Sequence, residues 1–107
     1  MLFGRDFEDD FTTIEKIEGE MGEVTVRGKI LDKDSRELRS GKTIIIFHIT
    51  DFTDTITVKV FANEDTLEDL NAAIKPGTFI RLCGMTTIDR FDGELTIGSV
   101  RGIKKAE

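Results

Sequence analysis

Apolar and polar residues alternate one by one over most of this chain, the period of a half-buried β-strand. From Glu23 to Leu31, Val24, Val26 and Ile30 fall on one face and Thr25, Arg27 and Lys29 on the other. Gly28 stands in the apolar register, where a glycine commonly marks a bulge or tight bend in a barrel strand. The strand is expected to continue irregularly towards Leu38, and Arg39-Ser40-Gly41-Lys42 to reverse the chain. A second strand is expected from Thr43 to Asp51, with Phe47 and Ile49 inward. After the turn Asp51-Phe52-Thr53-Asp54, a third runs from Thr55 to Phe61, with Ile56, Val58 and Val60 inward and Thr57, Lys59 and Phe61 outward.

The period then changes. Leu67, Leu70 and Ile74 recur at helical spacing. Asn63 can cap this helix, Glu64, Asp65 and Glu68 suit its N-terminal end, and Lys75-Pro76-Gly77 stops it. A fourth strand is expected from Thr78 to Ile88, with Ile80 and Leu82 inward, and a fifth from Glu94 to Val100, with Leu95 and Ile97 inward. Asp92-Gly93 between them is a hairpin signal. Three strands, one helix and two strands predict an all-β fold, a five-stranded OB barrel with its helix between strands three and four. An SH3-like barrel does not usually place a full helix there, and a ferredoxin-like fold needs two. Residues 1–21 read as an acidic lead-in with a packed turn at Ile14 and Ile17. Residues 22–100 read as the OB domain and 101–107 as an exit linker.

Composition changes the picture little; the distribution of charge changes it more. The 107 residues suffice for one domain. No apolar run approaches the roughly 20 residues of a membrane helix, and the first residues lack the pattern of a secretory signal. A single cysteine, Cys83, rules out an internal disulfide and fits a cytoplasmic location. The net charge of −6 is concentrated at the start: residues 1–20 carry seven acids against Arg5 and Lys16, a net −5, and the other 87 residues carry −1. Residues 27–42 hold six cations against three acids, a net +3. Local charge is what a phosphate chain meets at short range.

Candidate chemistry points away from catalysis. His48, the only histidine, has no evident nucleophile beside it, so no catalytic residue is assigned. Cys83 reads as a packed thiol. Asp51 and Asp54 suit turn capping better than a cation, no zinc-ligand set exists, and no metal or cofactor is expected. Gly41-Lys42-Thr43 resembles a phosphate loop, but Arg36 stands where its first glycine belongs. What remains is a binding face. Single strands are held by cations for phosphates and flat side chains for bases. Strands two and three offer His48, Lys59 and Phe61, with Ile46 and Thr50 beside them. The first hairpin offers Arg36, Arg39 and Lys42, and the last offers Arg90 and Phe91. Arg27, Lys29 and Arg81 would extend such a groove. Phe61 has two readings, a base platform or a plug closing the barrel under the helix.

Two segments carry a family resemblance. Arg36-Glu37-Leu38-Arg39-Ser40-Gly41-Lys42-Thr43 resembles a stretch of the PolC-type DNA polymerase III alpha subunit, the replicative polymerase of low-GC Gram-positive bacteria. Phe47-His48-Ile49-Thr50-Asp51-Phe52-Thr53-Asp54-Thr55-Ile56, followed by Val58-Lys59-Val60-Phe61, resembles the family's next segment. The resemblance runs from about Phe3 to about Val100 and lies in that family's OB domain. It implies one domain of a larger polymerase, with Met1 an added start and the polymerase chemistry elsewhere in the parent. The implied partners are single-stranded DNA or primer-template and the polymerase's other domains; the isolated domain is expected to be a monomer with no membrane association. A tRNA-anticodon-type OB domain and a protein-interaction barrel are the alternatives.

Overall fold

The computed structural model describes residues 2–7 and 10–106. Its elements run β1 (Phe3–Gly4), a 3₁₀ turn (Ile14–Lys16), β2 (Glu23–Glu37), β3 (Thr43–Thr50), β4 (Thr55–Ala62), α1 (Leu67–Ala73), β5 (Phe79–Ile88) and β6 (Leu95–Lys105). The five predicted strands are β2 to β6. The N-terminal half of β2 pairs antiparallel with β5, from Glu23↔Met85 to Lys29↔Phe79, and its C-terminal half with β3, from Lys29↔Thr50 to Glu37↔Thr43. β3 and β4 form a regular hairpin. β6 pairs antiparallel with β5 and parallel with β4 at Thr57↔Thr96 and Val58↔Ile97, which closes the barrel. The result is a closed five-stranded OB barrel with α1 between its third and fourth strands.

Alternation places the core. Val26, Ile30, Ile45, Phe47, Ile49 and Val58 are fully buried from β2, β3 and β4, and Ile80, Leu82, Ile97 and Ile103 meet them from β5 and β6. Burying each such side chain contributes about 1.5–3 kcal/mol. Leu70 and Ile74 bury the helix stripe against them, and Leu67 packs at its edge. Asn63 Oδ1 accepts the N–H groups of Asp65 and Thr66, so it caps the turn that leads into α1 rather than the helix itself, which begins at Leu67.

Three features depart from the sequence expectation. The β-bulge in β2 lies between Ile30 and Asp32, not at Gly28. Gly28 serves a close approach instead: a Cβ there would lie 2.3 Å from the Thr50 carbonyl oxygen. Residues 101–105 are not an exit linker but the second half of β6, pairing with Ile80–Cys83. An irregularity around Ser99, at φ 46°, breaks the alternation there and hides the continuation. The ordered structure, finally, begins well before Glu23: beyond the packed turn expected at Ile14 and Ile17, the start of the lead-in adds a short strand to the barrel. Phe3 and Gly4 pair with Ile103 and Gly102, the Thr12 N–H donates to the Thr25 carbonyl, and Ile14 and Ile17 are buried. Of its acids, Glu8 and Asp9 lie outside the described residues.

Candidate nucleic-acid interface

The outward sides of β3 and β4 are roofed at one edge by the β2–β3 hairpin and at the other by the β5–β6 hairpin. Between them lies an open groove of about 690 Å³. Ile44, Ile46 and His48 from β3 and Thr57, Lys59 and Phe61 from β4 form its floor; Arg36 and Leu38 stand on one side and Asp89, Phe91, Asp92 and Glu94 on the other. Thr50, predicted to share this face, is buried instead, accepting the Phe52 N–H and donating to the Asp54 carbonyl.

Five of the eight predicted contact residues line this groove: Arg36, His48, Lys59, Phe61 and Phe91. Phe61 is 59% exposed, so it does not plug the barrel, and Phe91 is fully exposed on its turn. Arg39 and Lys42 sit in the exposed hairpin loop above the rim. There the Leu38 N–H donates to the Lys42 carbonyl, and Gly41, at φ 88°, supplies the left-handed corner. Arg90 is exposed on the opposite hairpin, outside the lining. Arg27, Lys29 and Arg81 lie outside the groove's lining; register places them where β2 pairs with β5.

The electrostatics differ from a simple basic cleft. Lys59 was the expected phosphate cation of the floor, but two carboxylates hold it. Its Nζ is hydrogen-bonded to Asp89 and lies 3.6 Å from Asp92 Oδ2, with the side chain only 19% exposed. The bond it donates to Asp89 holds the ammonium charged to higher pH than usual, and the same bond keeps the Asp89 carboxyl below the usual carboxylate range. Asp89 Oδ1 also accepts the Phe91 N–H, and Asp92 Oδ1 accepts that of Glu94. Lys59 therefore acts as a post to which the hairpin carrying Phe91 is tied. Glu94 accepts from the Thr57 hydroxyl at 2.7 Å. His48 Nδ1 lies 2.7 Å from Asp32 Oδ1, and Arg36 Nε stands 4.0 Å from Asp34. The available positive charge is thus on the β2–β3 side, and the β5–β6 side is acidic.

The other candidates are structural. Partial burial raises the Asp51 carboxyl, but the Thr53 hydroxyl and the N–H groups of Ile14, Thr53 and Asp54 outweigh it and hold the group below its ordinary value. Asp51 is therefore the turn-former expected of it. Among the described residues no group of three or more His, Cys, Asp or Glu is placed to hold a metal ion. Cys83 is buried, and burial pushes its thiol up. A second hollow of about 600 Å³ is lined by Asp6, Asp10 and Glu23; its Arg101 is bound to Glu23 at 2.9 Å, an unfavourable lining for a phosphate chain.

A closed five-stranded barrel with one helix between its third and fourth strands defines a class of fold, and the comparisons agree with that fold. The chain belongs to the OB-fold nucleic acid binding domain family, whose model matches residues 24–101. The more particular likeness is to one segment of DNA polymerase III PolC-type. The chain is 37% identical over 97 residues to that of Caldanaerobacter subterraneus subsp. tengcongensis, covering 91% of this chain and 7% of that polymerase. It is 35% identical over 89 residues to that of Bacillus subtilis, covering 83% of this chain and 6% of the other. The chain therefore spans only about 7% of the length of the curated relatives it matches. Two solved structures share the fold. RecG bound to a three-way DNA junction superposes with a TM-score of 0.71 at 18% identity, covering 98% of this chain and 14% of that one. The aspartyl tRNA synthetase of Entamoeba histolytica gives 0.61 at 12% identity, covering 97% and 25%.

Proposed function

We propose that the groove holds single-stranded DNA as one module of a PolC-type replicative polymerase, contacting template or primer-template while the polymerase chemistry is carried elsewhere. One observation carries the reading: Phe61 and Phe91 are both exposed onto one groove whose opposite rim is cationic. Bases stack on the two rings, and phosphates follow Arg36, Arg39 and Lys42. The acidic hairpin side repels the backbone, so the strand lies with its phosphates towards β2–β3 and its bases towards Phe91. With about three phosphate contacts the isolated domain binds in the micromolar range or weaker, and log K falls against log salt with a slope of about −2.

The test is fluorescence anisotropy of a labelled single strand of about twelve nucleotides, a length one OB fold reaches. Matched duplex and RNA strands run beside it, with salt as a variable. The expected result is salt-sensitive single-strand binding that Arg39→Glu/Lys42→Glu abolishes. Phe61→Ala and Phe91→Ala should each cost about 1–3 kcal/mol of binding with little change in melting temperature. Failure to bind at low salt would overturn the reading, and RNA preferred over DNA would favour the tRNA-anticodon type.

A further inference from the structure

The outward face of β2 does not end at the groove. Beyond the bulge at Leu31 the same strand carries Lys29 and Arg27, on the half that pairs with β5. Register sets Arg27 directly opposite Arg81 and Lys29 directly opposite Phe79, and opposed residues of an antiparallel pair share one face. Lys29 is also opposite Thr50, two residues before Phe52. The rings of Phe52 and Phe79 lie 6.3 Å apart at 41° to one another, yet remain 75% and 46% exposed. From Arg36 to Arg27 the strand spans about 30 Å at roughly 3.3 Å per residue.

Arg81, opposite Arg27, turns its Nε to the Lys105 carbonyl at 3.1 Å. Neither Arg27 nor Lys29 has an ion-pair partner among the described residues, although the whole chain is acidic. Phe52, a large residue, is held at φ 69° by the turn around Asp51, which leaves its ring in solvent.

We infer that this β2–β5 face is a second contact for the same single strand after it leaves the groove, with Arg27 and Lys29 on phosphates and Phe52 and Phe79 on bases. The inference rests on reading the groove as a single-strand site. Charge complementarity favours a polyanion, and the exposed rings favour one whose bases are unpaired; a protein partner is the competing outcome. A short strand fills the groove alone, and a longer one follows β2 around the barrel.

The experiment is anisotropy with strands of about 8 and about 20 nucleotides, spanning the site sizes of OB folds. It is run at about 0.1 M salt, where the Debye length of roughly 10 Å isolates one face from the other. The variants are Arg27→Gln/Lys29→Gln and Phe52→Asn; asparagine tolerates the left-handed backbone. Thermal melting checks that each is folded. Each variant is expected to weaken the 20-mer about tenfold, the scale of one lost stacking or a pair of phosphate contacts, and the 8-mer less than about twofold. Unchanged 20-mer affinity overturns the inference and leaves the face to a protein partner. Equal weakening of both lengths also overturns it, because the face then has no separate role. An 8-mer that does not bind the unaltered protein sinks the groove reading itself.

Discussion

Lys59 shows how far a side chain's neighbours decide its role. Sequence places it outward on a binding strand, an ordinary phosphate contact. Packing surrounds it with Asp89 and Asp92, so its charge is spent within the protein. Replacing it should therefore act on structure before electrostatics. In Lys59→Met the Asp89 and Asp92 carboxylates face each other without their cation, and the β5–β6 hairpin loosens. The expected outcome is a lower melting temperature and faster amide exchange at Phe91 and Glu94, partly restored in Lys59→Met/Asp89→Asn; a double-mutant cycle measures the coupling. Unchanged exchange at Phe91 would show that the hairpin stands without the post. Phe61 is the complementary case: alternation alone puts it outward, and outward it stays.

At the scale of elements, the last strand matters most. The second half of β6 joins β5 to β1, and its Ile103 is fully buried. A chain ending at Val100 loses those pairings and that side chain. It is expected to lose cooperative thermal unfolding, seen by circular dichroism as a broad, low transition. A truncated form melting like the full chain would show that the barrel closes through residues 95–100 alone. Sequence reads this segment poorly because two devices interrupt the alternation, the irregularity at Ser99 and Gly102, where a Cβ would lie 2.2 Å from the Arg5 carbonyl oxygen. The strands with unbroken period, β3 and β4, are legible to within about a residue; the helix is legible by its stripe of Leu67, Leu70 and Ile74, but it begins at Leu67, three residues later than a cap at Asn63 would open it.

For the whole molecule, acidity and stability are linked through three carboxylates held below their ordinary range. Asp6 is held there by a hydrogen bond from Lys104, and Asp89 by one from Lys59. Asp51 is held there by the Thr53 hydroxyl and backbone N–H groups, against the effect of its burial. A group whose folded value is depressed stabilises the protein above its unfolded value and loses that contribution as pH falls through the folded one. Unfolded aspartates titrate near pH 4, roughly. Melting temperature should then be level above about pH 5 and fall progressively below about pH 4. The raised Lys59 acts in the opposite sense, contributing fully below its unfolded value of about 10.4 and losing that as pH rises through the folded one. A melting temperature that stays level to about pH 2 would count against these pairings.

The alternation of side chains, the helix stripe and the turn residues lie within a few positions of one another, so sequence alone determined the strand order, the barrel and most of the core, while leaving Phe61 with two readings. What only tertiary structure decided depends on residues far apart in the chain. Lys59 meets Asp89 across thirty positions, and Asp32 meets His48 across sixteen. The bulge at Leu31 turns one strand through two sheet partners. Those pairings polarise the groove and carry Arg27 and Lys29 onto a separate face. Pattern reports which way a side chain points, but its charge acts through whatever barrel closure brings beside it.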